Sequence, residues 1–166
     1  MKNFKIFIWI LMIFLMQTIA VHYICPAAPP MIIIPFIISL SFFEGSFRYA
    51  MTVSVICGAC AGSFTGDNFF FSLLLSAAAS LFVMRFKRKR IYIHELIKTV
   101  LCSAVFVFIA ETAASLAINP SIGRYIHLAL PSILLSDAIT AVFAVIIYPL
   151  LKKTVYSHSE KKNFII

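Results

Sequence analysis

Long apolar runs, separated only by short polar breaks, are the feature that most constrains this chain. A helix needs about 20 mostly apolar residues to cross the roughly 30 Å hydrocarbon core of a bilayer. Hydrophobic residues make up 62% of the chain and charged residues only 12%, against roughly 25% charged residues in an ordinary soluble domain. This composition excludes a soluble enzyme or a nucleic-acid-binding protein, and it predicts an integral membrane protein.

Six of the runs predict membrane-spanning helices, which makes the chain an all-α polytopic protein with one transmembrane domain over residues 1–166. The predicted spans are residues 4–23, 31–43, 49–65, 69–84, 97–118 and 125–151. The second run is short, so we expect it to be tilted little, to thin the bilayer locally, or to be partly shielded by neighbouring helices. A re-entrant segment is the alternative for this run.

The positions of Lys and Arg predict the orientation, because cytoplasmic loops attract these residues. With a cytoplasmic N-terminus and six crossings, Arg124 is the one basic residue outside, and the other 13 of the 14 lie inside. The inside set is Lys2, Lys5, Arg48, Arg85, Lys87, Arg88, Lys89, Arg90, Lys98, Lys152, Lys153, Lys161 and Lys162. A re-entrant second run would reverse the later loops and break this pattern. The sequence therefore predicts six full crossings with both termini in the cytoplasm.

The residue types that bind metals or perform catalysis are not spaced along this sequence as a metal site or a catalytic site requires. Cys57 and Cys60 form a CxxC pair, but no second pair and no nearby His completes a tetrahedral site. The chain also lacks a phosphate-binding glycine loop, a serine-hydrolase motif and a zinc-protease motif. The sequence predicts no metal, no cofactor and no enzymatic activity.

Small residues recur at every fourth position of the third run, at Ala50, Ser54, Gly58, Gly62 and Gly66. On a helix they form one stripe that lets another backbone approach closely. The favoured interpretation is a groove for a neighbouring helix of the same chain. The alternative is a docking face for another protein.

Two acids, Glu111 and Asp137, lie well inside predicted spans and at similar depth in the outer half. An intramembrane carboxyl group is costly, and it suggests ion coupling, solute recognition or a buried contact. We favour a contact between helices, in which the two acids share a proton or bond to nearby hydroxyl groups, those of Thr112, Ser115, Ser136 or Thr140. Arg124 lies near the outer mouth, within reach of Asp137.

A dense basic run forms the longest inner loop, with Arg85, Lys87, Arg88, Lys89 and Arg90 in six residues. Such a run anchors the preceding helix and attracts anionic membrane lipid. An acidic cytoplasmic partner is a second possible ligand for it.

The order of these features resembles the MreD family of bacterial rod-shape-determining proteins. The matching segments are Pro29-Pro30-Met31-Ile32-Ile33-Ile34, Gly58 to Asp67, and Leu130-Pro131-Ser132 leading into Asp137. The layout resembles the family over the whole chain, whereas the motifs cover residues 29–68. In the family the acid continues the four-residue glycine spacing, but here Gly66 holds that place and Asp67 comes one residue later.

The resemblance implies a non-enzymatic scaffold of the cell-elongation machinery in the bacterial inner membrane. Its partners would be MreC, the MreB filament system, and the peptidoglycan synthase RodA with its penicillin-binding partner. Interface candidates would be Gly58, Gly62, Gly66 and Asp67. The family's fold is similar to that of the substrate-binding subunits of energy-coupling-factor vitamin transporters, so a transporter subunit is the alternative function. Those subunits carry an Ala-x-x-x-Ala stripe on the first helix, which this chain lacks, while Glu111 and Asp137 favour the alternative.

Overall fold

The computed structural model describes residues 2–19, 23, 30–64, 69–87, 94–118, 127 and 129–156. The helices are α1 Lys2–Ile19, α2 Ile33–Phe43, α3 Phe47–Phe64, α4 Phe69–Lys87, α5 Glu95–Ile118 and α6 Leu130–Leu151. A π-helical segment, Lys152–Tyr156, follows α6. The described part of the chain is all-helical, as the sequence predicted.

Four helices are long and apolar enough to cross a membrane, namely α1, α4, α5, and α6 with its π-helical segment. The 18 residues of α3 are the least apolar of the six, because the helix includes Arg48 and several glycine, serine and threonine residues. Helix α2, with 11 residues, is a shorter apolar helix than these four. These lengths and compositions are compatible with a multi-pass membrane protein.

The short helix α2 lies at the centre of the bundle, in contact with each of the other five helices. Every residue from Ile32 to Ser41 is buried, and Phe36, Ile37 and Leu40 are fully inaccessible. A helix that is hydrophobic on all sides must be surrounded by protein or lipid. Neighbouring helices shield this short apolar run, which is one of the three arrangements expected from the sequence. The shielding is complete from Ile32 to Ser41.

The start of α2 is tied to the interior of the bundle by side chains of α1 and α6. The Met31 amide donates to Thr140 Oγ1 at 3.1 Å. The buried side chain of Gln17 donates from Nε2 to the Pro30 carbonyl at 2.7 Å and accepts at Oε1 from the Ile32 amide at 2.6 Å. Since Thr140 lies near the middle of α6, α2 begins at about half the height of that helix.

The first residues of α1, α3 and α5 and the last residues of α2, α4 and α6 meet at one end of the bundle, which we call the basic end. Contacts across it join Lys2 to Glu44, Tyr49 to Asn3, and Tyr148 to Glu95. Most described basic residues belong to these helix ends: Lys2, Lys5, Arg48, Arg85, Lys87, Lys98, Lys152 and Lys153. Successive helices therefore run in opposite directions.

Candidate functional site

A polar cluster around Glu44 occupies the centre of the basic end. Glu44 directly follows α2 and is 6% exposed. Its Oε1 forms an ion pair with Lys2 Nζ and accepts a hydrogen bond from the Tyr156 hydroxyl at 2.8 Å. One carboxylate thus connects α1, α2 and the π-helical segment. Glu44 was not predicted from the sequence, where its one local signal is an acid placed directly after the apolar run 31–43.

Lys87 closes the C-terminus of α2. Its Nζ donates to the backbone carbonyl oxygens of Phe42 at 2.9 Å and of Glu44 at 2.7 Å. Carbonyl groups at a helix C-terminus lack helical partners and carry partial negative charge, which a lysine stabilises. Lys87 was predicted to be part of the lipid-attracting basic run, and the structure gives it this contact within the chain. Arg85 is exposed, and the other predicted members of the run, Arg88, Lys89 and Arg90, lie outside the described residues.

Aromatic rings surround the same cluster. The Phe43 ring stacks on Tyr148 at a centroid distance of 4.8 Å and on Tyr156 at 4.9 Å. Lys2 Nζ lies 4.8 Å from the Tyr156 ring centroid, within the range of a cation–π interaction. The Tyr148 hydroxyl donates to Glu95 Oε2 at 2.8 Å. These contacts fix the ends of α2, α5 and α6 against one another.

The small-residue stripe of α3 packs against α4 at Gly58. A Cβ atom at Gly58 would lie 2.8 Å from the Ser72 carbonyl oxygen and 2.8 Å from Ser76 Cβ. A side chain there would collide with the backbone of α4, so glycine permits this close approach. Gly62 is also buried. At Gly58 the stripe therefore forms a groove for a helix of the same chain, as the favoured interpretation predicted. Gly66 and Asp67 lie outside the described residues.

Glu111 and Asp137 lie between α5 and α6, in the half of the bundle away from the basic end. Ser136 Oγ donates to Glu111 Oε1 at 2.8 Å, which is one of the contacts between helices that the sequence predicted. Asp137 Oδ1 is buried and has no hydrogen-bond partner among the described residues. Arg124, which was predicted to be within reach of Asp137, lies outside the described part of the chain.

The arrangement at α5 and α6 leaves carboxyl oxygens that can accept a proton, a cation or a hydrogen-bond donor of a solute. Within the described ranges, no three His, Cys, Asp or Glu side chains lie close enough together to hold a metal ion. Cys57, Cys60 and Cys102 are free thiols, and Cys57 and Cys102 are buried.

Comparison of the chain with family models, with curated proteins and with solved structures finds no match.

Proposed function

We propose that the chain is a non-enzymatic scaffold of the bacterial cell-elongation machinery, with six spans in the inner membrane and both termini in the cytoplasm. The observation that carries the proposal is the resemblance of residues 29–68 to the MreD family. On this proposal the basic end faces the cytoplasm, in keeping with the positive-inside rule. The partners are an MreC-like protein, the MreB filament system, and RodA with its penicillin-binding partner.

Several buried polar side chains of the bundle bond one helix to another, and this supports a role based on protein contacts. Gln17 bonds the start of α2, Ser41 and Ser80 pair at 3.2 Å between α2 and α4, and Glu44 joins three elements of the basic end. In each case the polar group holds one part of the chain to another. A rigid bundle of this kind suits a protein that presents fixed surfaces to partners.

A substrate-binding subunit of a vitamin or solute transporter is the second candidate. The observation that favours it is the buried Asp137 Oδ1, which has no partner in the described residues and follows directly after Ser136, the residue bonded to Glu111. Against it, α1 exposes large side chains such as Ile8, Leu11 and Met12, where such subunits carry an alanine stripe.

Purification of the tagged full chain from native membranes in mild detergent, followed by mass spectrometry, tests the two candidates against each other. Recovery of MreC with RodA and its synthase partner supports the scaffold. Recovery of a transmembrane coupling subunit with its ATPases, without these proteins, refutes the scaffold and assigns the chain to solute transport.

The variant Gly62→Leu separates the two interpretations of the α3 stripe in the same experiment. Loss of the co-purified partners with normal membrane insertion and folding indicates that the stripe docks a partner. Loss of folding indicates that the stripe serves only packing within the chain. Ser63→Leu is the matched control, because Ser63 is exposed on the neighbouring position of α3.

A further inference from the structure

A groove separates α1 from the end of α6 at the basic end. Its volume is about 750 Å³, within the roughly 300–1,000 Å³ typical of small-molecule sites. Its walls are formed by Lys5, Ile8, Trp9, Met12, Leu150 and Lys153. By their positions along the helices, the two lysines lie nearest the basic end and the apolar side chains lie deeper in the bundle.

The packing of α1 keeps this groove open. Trp9 Nε1 donates to Thr154 Oγ1 at 2.8 Å, and Lys5 Nζ donates to the Thr154 carbonyl at 2.9 Å. Behind these bonds the Trp9 ring stacks on Phe36 of α2 at a centroid distance of 6.4 Å. Helix α1 is thus fixed to α2 and to the π-helical segment, and a gap remains beside the apolar wall of α6.

We propose that this groove binds one anionic phospholipid from the leaflet at the basic end, with the phosphate between Lys5 and Lys153 and an acyl chain along Ile8, Met12 and Leu150. The lining contains two positive charges and no acid, which favours an anionic over a zwitterionic headgroup. Basic pockets between membrane helices bind phospholipid headgroups in this way. The apolar wall selects a lipid over free phosphate, because phosphate has no group to place there.

Trp9 provides a direct test, because it is the only tryptophan of the chain and lines the groove at 8% exposure. The purified full chain is placed in phosphatidylcholine vesicles that contain increasing amounts of phosphatidylglycerol with brominated acyl chains, and the quenching of Trp9 fluorescence is measured. Brominated phosphatidylcholine in otherwise identical vesicles is the reference lipid. With a contribution of about fivefold from each lysine, we expect half-maximal quenching by phosphatidylglycerol at a mole fraction about 25-fold lower than that needed with the reference lipid.

A charge-matched pair of variants separates the groove from general attraction to the basic end. Lys5→Gln with Lys153→Gln is expected to remove the preference for phosphatidylglycerol. The control, Arg48→Gln with Lys98→Gln, removes two charges from the basic end without touching the groove and is expected to keep the preference within twofold. Equal quenching by both lipids in the unaltered chain, or an equal loss of preference in both double variants, overturns the proposal.

Leu150→Phe tests the site without a change of charge, and it decides the question if the lysine variants do not fold. The larger ring fills the apolar part of the groove, so quenching by brominated phosphatidylglycerol should fall at least fivefold. Unchanged quenching in this variant overturns the proposal. So does complete loss of quenching by brominated phosphatidylglycerol when millimolar inorganic phosphate is added to the unaltered chain. None of these outcomes depends on the partners recovered from native membranes, so the lipid site and the scaffold role fail separately.

Discussion

Carboxyl groups lie between helices in two places in the bundle, at the basic end and between α5 and α6, and their surroundings differ. Glu44 has an ion pair with Lys2 and a hydrogen bond from Tyr156. Glu111 accepts one bond from Ser136, and Asp137 Oδ1 has no partner among the described residues. Both sites join helices, but the second also has a carboxyl oxygen, Asp137 Oδ1, that can still accept a proton or a ligand.

The comparison shows that burial of an acid does not by itself identify a functional site. A buried charge that is paired and hydrogen-bonded is costly to break, because removal of one partner leaves the other uncompensated. A carboxyl group without a base nearby is either neutral or awaits a ligand. The hydrogen-bond and ion-pair partners of an acid, rather than its depth in the bundle, distinguish a structural carboxyl group from one that can bind a ligand.

The largest effect is expected for Glu44→Ala, which removes the acceptor of both Lys2 and Tyr156. We expect the free energy of unfolding in detergent to fall by about 3 kcal/mol, the lower end for a broken buried pair, because Lys2 is 46% exposed. Equilibrium unfolding followed by Trp9 fluorescence measures it. The control is Glu95→Ala, whose residue is exposed and accepts from Tyr148, and its loss should be clearly smaller. Equal losses would contradict a special role of Glu44.

A smaller effect is expected for Gln17→Ala, because neutral hydrogen bonds hold the start of α2. The change leaves the buried Ile32 amide without its acceptor, and such an unsatisfied group costs about 2 kcal/mol. Ser63→Ala is the control, since this exposed hydroxyl bonds the carbonyl of Ala59 in its own helix and has no other partner among the described residues. If Gln17→Ala lowers the free energy of unfolding no more than Ser63→Ala does, the bundle does not depend on the hydrogen bonds of Gln17 to the start of α2.

Tyr156→Phe removes the hydroxyl bound to Glu44 and keeps the ring stacked on Phe43. The free energy of unfolding should fall by about 1 kcal/mol, the usual net worth of one hydrogen bond. In the Glu44→Ala background the same change should have almost no further effect, because the acceptor is already gone. Additive losses in this double-mutant cycle would show that the hydroxyl acts elsewhere.

The smallest effect on stability is expected for Glu111→Gln combined with Asp137→Asn. Neutral amides fit the same space, and Ser136 keeps an acceptor, so unfolding should change by less than about 0.5 kcal/mol. If the chain is a scaffold, the partners recovered from native membranes should be unchanged. A stable double variant that no longer supports cell elongation would instead assign a working role to the two carboxyl groups.

Much of the fold could be predicted because apolar runs and polar breaks are local in sequence. The predicted run 69–84 corresponds to α4, Phe69–Lys87, and the run 97–118 to α5, Glu95–Ile118. The contact between Glu111 and Ser136 was also predicted, since the two acids lie at matching depth on neighbouring helices. Six full crossings and the cytoplasmic position of the termini stay predictions.

The basic-end cluster could not be predicted, because its partners are far apart along the chain. Glu44 bonds Lys2, 42 positions away, and Tyr156, 112 positions away. Trp9 lies in an apolar run, and its ring nitrogen bonds Thr154, 145 positions away. No periodicity or motif records such pairs, and only the packing of the helices brings them together.

The central position of α2 has a consequence for how the protein is made. A segment of 11 residues is too short to be released into lipid as an independent span, and its neighbours α3 to α6 are synthesised after it. Glu44 obtains its bond from Tyr156 only once residue 156 has left the ribosome. Assembly of the bundle is therefore a collective event, in which the central helix α2 is fully enclosed only after the last helix has been made.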